Sequence, residues 1–165
     1  MADLPRHIAI DDDSFHKEDG LFTPVVGAWA ATKHRKLGYY CALFAGSMKK
    51  KWQCRIYLDL FAGAGKSRIR GKNDVIPGSP LLALSIKDPF DQYIFCEKDE
   101  RSLKALEERV RVYFPKHRCH FILGDSRLFL MYSPISSRSR LLNNFARFLP
   151  DDVVEYSRGI NFMIW

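Results

Sequence analysis

The sequence predicts an α/β domain on a parallel sheet, and three observations point that way. Short β-branched and aromatic runs, RIYLDL (55–60), YIFCE (93–97) and HFIL (120–123), read as buried strands. They alternate with helical patterns and short turns, the arrangement that crossover connections between parallel strands require. The chain has 165 residues, 47% of them hydrophobic and 27% charged, which suits one globular domain with a sizeable core.

Residues 1–24 carry Asp11, Asp12 and Asp13 in a row and close on Pro24, so they read as an irregular lead-in to a single domain over 25–165. From Ala28 to about Phe44 the apolar residues Trp29, Leu37, Tyr40, Cys41 and Phe44 recur at helical spacing. Gly46-Ser47 is expected to end that helix, and Met48 to Lys51 to form a basic turn. RIYLDL is the first main strand, followed by a glycine-rich turn, FAGAGKS (61–67), and a loop, IRGKNDVIPG (69–78). Ser79-Pro80 supplies a capping hydroxyl and a proline at the first helical position, which predicts a short helix from Leu81 to about Lys87. The second strand is 93–97. Leu103, Leu106, Val110 and Tyr113 or Phe114 then line one face of a helix over 99–113, stopped by Pro115. The third strand, 120–123, closes on Gly124-Asp125. An amphipathic segment over about 138–149 gathers Leu141, Leu142, Phe145, Phe148 and Leu149, and GINFMIW (159–165) is a fourth strand candidate.

Composition excludes several classes. The longest uncharged run, Gly20 to Thr32, is 13 residues, short of the roughly 20 that a spanning helix needs. The start, MADLPRHIAIDDD, has no apolar core of a signal peptide, so a cytoplasmic protein is expected. Cys41, Cys54, Cys96 and Cys119 form no CxxC or CxxH pair, which predicts neither a zinc module nor a disulfide framework. The formal charge of +7 is unevenly placed. Residues 33–72 hold eleven Lys or Arg (33, 35, 36, 49, 50, 51, 55, 66, 68, 70 and 72) against one acid, Asp59. Such a basic field attracts nucleic acid or another polyanion, although a merely solvated face would look the same.

The most informative stretch is 59–67. A P-loop needs G-x-x-x-x-G-K-[ST], but its first glycine falls on Leu60, and no helix follows directly to present amides to a phosphate. The dinucleotide pattern G-x-G-x-x-G keeps Gly63 and Gly65 and loses its third glycine to Arg68. Context favours the second pattern. In an open α/β sheet a ligand lies beyond the carboxyl ends of the strands, where glycine lets the backbone approach it. Glu97 ends the next strand, placed for ribose hydroxyls, and Asp125 ends the third, placed beside a base. The plainer alternative keeps Asp59 and Asp125 as polar strand ends and helix caps.

Asp59-Leu60-Phe61-Ala62-Gly63-Ala64-Gly65 resembles the FxGxG loop that many nucleic-acid methyltransferases use for S-adenosylmethionine. The wider pattern resembles the three-Cys-motif partner proteins (TcmP). It comprises Trp29 and Lys33, YLDLFAGAG (57–65), Gly78-Ser79-Pro80-Leu81, Pro89-Phe90, Phe95-Cys96-Glu97-Lys98-Asp99 and Gly124-Asp125, across about residues 20–126. The resemblance implies a Rossmann-like, methyltransferase-type sheet, here of about four strands with an N-terminal helix, and S-adenosylmethionine as cofactor. Asp59, Phe61, Ala62, Gly63, Gly65, Glu97 and Asp125 would form the cofactor site. Within it, Gly63 and Gly65 would pass under the methionine and ribose, and Asp59 would orient the loop and reach the methionine ammonium. Glu97 would hold the ribose and Asp125 the adenine amine. A partner carrying a three-cysteine motif is implied as well. Relatives continue beyond the fourth strand with an Asp-Pro, whereas this chain stops at Trp165. An incomplete domain without turnover is therefore expected, with self-association through an exposed sheet edge.

Overall fold

The structure is a computed structural model and describes residues 13–125 and 160–164; the amphipathic reading of 138–149 lies outside them. Among the described residues, eleven elements follow one another. A 3-10 turn (Asp13–His16) precedes β1 (Val25–Val26), α1 (Trp29–Met48), β2 (Cys54–Asp59), β3 (Lys66–Ile69), β4 (Val75–Pro77) and α2 (Ser79–Leu84). Then come β5 (Gln92–Glu97), α3 (Glu100–Tyr113), β6 (Cys119–Leu123) and β7 (Ile160–Ile164).

β2, β5, β6 and β7 form a four-stranded sheet in the order β6-β5-β2-β7, and every pairing is parallel. The domain is therefore α/β, as the alternation of elements predicts. From β2 the chain steps outward through β5 to β6, then returns to β7 on the far side of β2. Parallel order requires burial on both faces, and every residue of β2 is buried. One face presents Tyr57, Tyr93, Phe95 and Phe121 to Leu37, Cys41, Leu81, Leu84, Leu106 and Val110 of α1, α2 and α3. The opposite face gathers Cys54, Ile56, Leu58, Ile94 and Cys96.

Three local readings change. α1 runs through Gly46 and Ser47 to Met48, since neither residue breaks a helix whose buried face is already seated. That face is Ala30, Leu37, Gly38, Cys41 and Ala45, which leaves Trp29 and Tyr40 exposed rather than in the core. Second, the supposed turn and loop over 61–78 contain a small sheet. β3 pairs in parallel with β1 and antiparallel with β4, and Gly71 turns the hairpin at φ +76°. Third, α2 starts at Ser79 with Gly78 as its cap, so Ser79 makes no capping bond and its hydroxyl is used elsewhere. α3 behaves as its pattern predicts, with the Asp99 carboxylate accepting the Ser102 N–H at 3.0 Å at its start.

Three buried cations, Arg55, Lys66 and Arg109, hold the frame. Arg55, on β2, forks onto Asp91 (3.0 and 3.2 Å) and donates to the carbonyls of Ala45 and Pro89. Arg109, on α3, forks onto Asp19 (2.8 and 2.7 Å) and also donates to the carbonyls of Phe22 and Ala64. Asp19 sits 3.1 Å from the Lys66 ammonium, which donates further to the carbonyls of Ser14 and Lys17 and to the Tyr113 hydroxyl. Residues 13–24 are thereby bound to β3 and α3, and Phe15 enters the core.

Candidate functional site

The carboxyl ends of β2, β5 and β6 lie side by side, with β2 next to the direction change between β2 and β7, the place at which α/β sheets open a crevice. Asp59 ends β2 and is fully buried. Its two oxygens accept the Phe61 N–H at 3.1 Å and the Tyr57 hydroxyl at 3.2 Å, and the Ser79 hydroxyl bonds the same carboxylate. Asp59 thus bonds the first residue of the loop, and its carboxylate shows no surface to a ligand. The sequence reading missed Tyr57 and Ser79. Tyr57 was within reach, because residues two apart on a strand share a face.

Burial pushes the Asp59 carboxyl up to about 6, against the opposing pull of Ser79, the Phe61 amide, Tyr57 and the Lys33 charge. A raised acid binds its proton more tightly in the folded state, so its stabilising contribution is present at low pH and lost as pH rises. Folding stability should fall by about 3 kcal/mol between about pH 4 and 6 from this group alone, at ~1.4 kcal/mol per pKa unit. The Asp59→Asn variant should lack that slope. Denaturant melts of both proteins across this range measure it, and parallel curves would contradict it.

Beyond Asp59, Gly63 (φ +62°) and Gly65 (φ +82°) both occupy the left-handed region, but for different reasons. A Cβ on Gly63 would meet nothing within 4 Å, so this residue borders open space. A Cβ on Gly65 would lie 2.9 Å from the Leu106 side chain, and the Gly65 carbonyl accepts the Gly78 N–H at 2.6 Å. Gly65 therefore packs the loop onto the domain. Ala62 is buried, its N–H on the carbonyl of Cys96, whereas Phe61 is 64% exposed at the rim.

Glu97, at the end of β5, reaches across to this loop. Its Oε2 accepts the Gly63 N–H at 2.8 Å, and its Oε1 accepts the N–H groups of Lys98 and Asp99. A carboxylate offers about four acceptor positions, so one remains on the half-exposed side chain. Gly124 donates to the Glu97 carbonyl at 2.9 Å, and Asp125 follows it, half-buried, at the end of β6. The structure thus gathers Phe61, Gly63, Glu97 and Asp125 around the strand ends and sets Asp59, Ala62 and Gly65 beneath them.

No family model matches the chain, and no curated protein matches it. Among solved structures it is similar to that of protein LPL1258 (DUF519) from Legionella pneumophila str. Philadelphia 1, at 12% identity and a TM-score of 0.44. The match covers 79% of this chain and 66% of that one, just under two thirds of its length.

The other chemistry-bearing residues sort clearly. Lys66 is a buried strand residue held by Asp19, so it is not available to a phosphate and the P-loop reading falls. Burial pushes the thiols of Cys41, Cys96 and Cys119 up to about 12, which keeps them protonated. Of the eleven cations in 33–72, Arg55 and Lys66 are internal, while Lys49 and Arg68 pair with Asp88 and Glu18. The basic field is smaller than the sequence suggests. Among the described residues, no helix is long and apolar enough to cross a membrane.

Proposed function

We propose that the crevice over β2, β5 and β6 binds S-adenosylmethionine, in a Rossmann-like domain of the methyltransferase type akin to the three-Cys-motif partner proteins. The observation that carries this reading is the Glu97 carboxylate fastened to the Gly63 amide beside open space, at the carboxyl ends of neighbouring parallel strands β5 and β2. That bond fixes the spacing between loop and strand end, and the remaining acceptor position of Glu97 suits a ribose hydroxyl. Phe61 and Asp125 would flank the adenosine. Asp59 acts as a positioning residue beneath the loop.

Calorimetry with S-adenosylhomocysteine tests it. Binding is expected, with none for Mg-ATP, and Glu97→Gln should weaken it by about 1–3 kcal/mol, the cost of losing a charged hydrogen bond. Gly63→Val should abolish it by filling the open space. No heat in the parent, or equal affinity in the Glu97 variant, would remove the assignment.

A second reading is a non-catalytic binding subunit that works beside a partner protein. It is favoured by the state of Asp59, whose carboxylate is buried and taken up by three donors, so it does not serve as a base for an acceptor. Methyl transfer to bulk RNA or DNA by a chain that binds the cofactor would decide for the enzyme.

A further inference from the structure

α1 carries a second exposed face that its role in the core does not explain. Trp29, Lys33, Lys36, Tyr40 and Leu43 follow at steps of four and three residues, which sets them in one strip along the helix. All five are exposed, Trp29 at 67%, Tyr40 at 58% and Leu43 at 49%. The buried face, Leu37, Cys41 and Ala45, lies on the other side, so this strip cannot turn inward without emptying the core. A surface helix normally opposes its apolar face with mixed charges. α1 has no Asp or Glu in its length, and large apolar side chains stand among its cations. Lys33 holds its ammonium 5.7 Å from the Trp29 ring centroid. Arg35, Lys36, Lys50 and Lys51 make no ion pair among the described residues, so this end of the basic field is unneutralised.

We propose that this strip binds single-stranded nucleic acid. Flat rings and lysines in alternation match a chain of exposed base faces and phosphates, whereas a duplex hides its base faces. Two lysines in the middle of the strip, and the lack of any acid, fit a polyanion better than an apolar protein groove. At ~1.5 Å per residue the strip from Trp29 to Leu43 runs about 21 Å, enough for several nucleotides. Its Trp29 end adjoins Lys33, whose charge acts on Asp59 under the crevice. A strand lying on α1 therefore leads toward the strand ends. That the bound strand is also the methyl acceptor rests on the cofactor reading; the binding itself does not.

Fluorescence anisotropy with the full chain and a short mixed-sequence oligonucleotide tests the proposal, using RNA, single-stranded DNA and a duplex. Single strands should bind more tightly than the duplex, and Tyr40→Ala should weaken them about tenfold, within the range for loss of one stacked base. Lys36→Gln should reduce the slope of log affinity against log salt by about 0.7. Lys104→Gln, on α3, should leave both unchanged. Tyr40 and Lys36 are exposed, and circular dichroism confirms that each variant is folded. No single-strand binding at low salt, equal affinity for the duplex, or parent affinity in Tyr40→Ala overturns the proposal. Strip-dependent binding to phosphatidylserine vesicles or strip-dependent dimerisation, without nucleic-acid binding, overturns it too. Titration of Tyr40→Ala with S-adenosylhomocysteine keeps the two readings apart. Lost RNA binding with intact cofactor binding places the fault in the strip, whereas RNA binding in a parent that takes no cofactor removes only the cofactor reading.

Discussion

Replacing Asp19 with alanine is expected to cost about 3–5 kcal/mol of folding stability, the usual penalty for leaving buried charge without its partner. Asp19 faces two cations, Lys66 and Arg109, whose side chains are both 0% exposed. No other acid bonds either cation among the described residues. Burial alone would raise the Asp19 carboxyl, but the bonds from Arg109 and Lys66 outweigh it and hold the group well below the usual carboxylate range. A depressed acid contributes stability above its unfolded pKa and loses it as pH falls. The parent should therefore weaken progressively below about pH 4, and Asp19→Ala should lack that part of the acid response. Lys66→Met removes one cation at similar volume and leaves Asp19 paired with Arg109, so it should cost less. Urea melts at neutral and acid pH measure all three proteins. An alanine variant as stable as the parent would mean that residues 13–24 do not hold the domain.

Gly65→Ala should be the second most damaging change, at about 2–5 kcal/mol. A left-handed backbone costs an L-residue ~1–2 kcal/mol, and forcing a methyl against Leu106 adds the overpacking cost of ~1–3 kcal/mol. Gly63→Ala meets open space, so only the backbone penalty of about 1 kcal/mol applies. The two glycines thus separate in one denaturant experiment: one supports the fold, the other borders open space. Equal costs would dissolve that distinction.

The four strands of the main sheet were legible because each reads as a short apolar run, and β2 and β5 are buried along almost their whole length. Their observed bounds lie within a residue or so of the expected ones. β3 was not legible. Lys-Ser-Arg-Ile has no apolar alternation; it is held as a strand by pairing with β1 and β4, and its buried Lys66 ammonium is met by Asp19, forty-seven residues earlier in the chain. Trp29 and Tyr40 were misjudged for the opposite reason. Large apolar side chains suggest a core, but Leu37, Cys41 and Ala45 had already fixed which side of α1 faces the sheet. At the crevice, the acid at the end of each strand could be read from sequence. That Asp59 is sealed by Tyr57 and Ser79, and that Glu97 clasps the Gly63 amide, depends on distances between elements far apart in the chain.

The position of β7 beside β2 bears on the order in which the sheet is assembled. Direct pairing of Cys54 with Ile160 from an unfolded chain closes a loop roughly three times longer than pairing Ile56 with Gln92, costing about 1 kcal/mol more in chain entropy. Joining β2, β5 and β6 first shortens the segment left to close to the one between Leu123 and Ile160. Assembly by successive neighbours is therefore the cheaper route, with β7 arriving at a template that already exists. During synthesis this matches the order in which these strands leave the ribosome, so the growing chain can pair β2, β5 and β6 before β7 has been made.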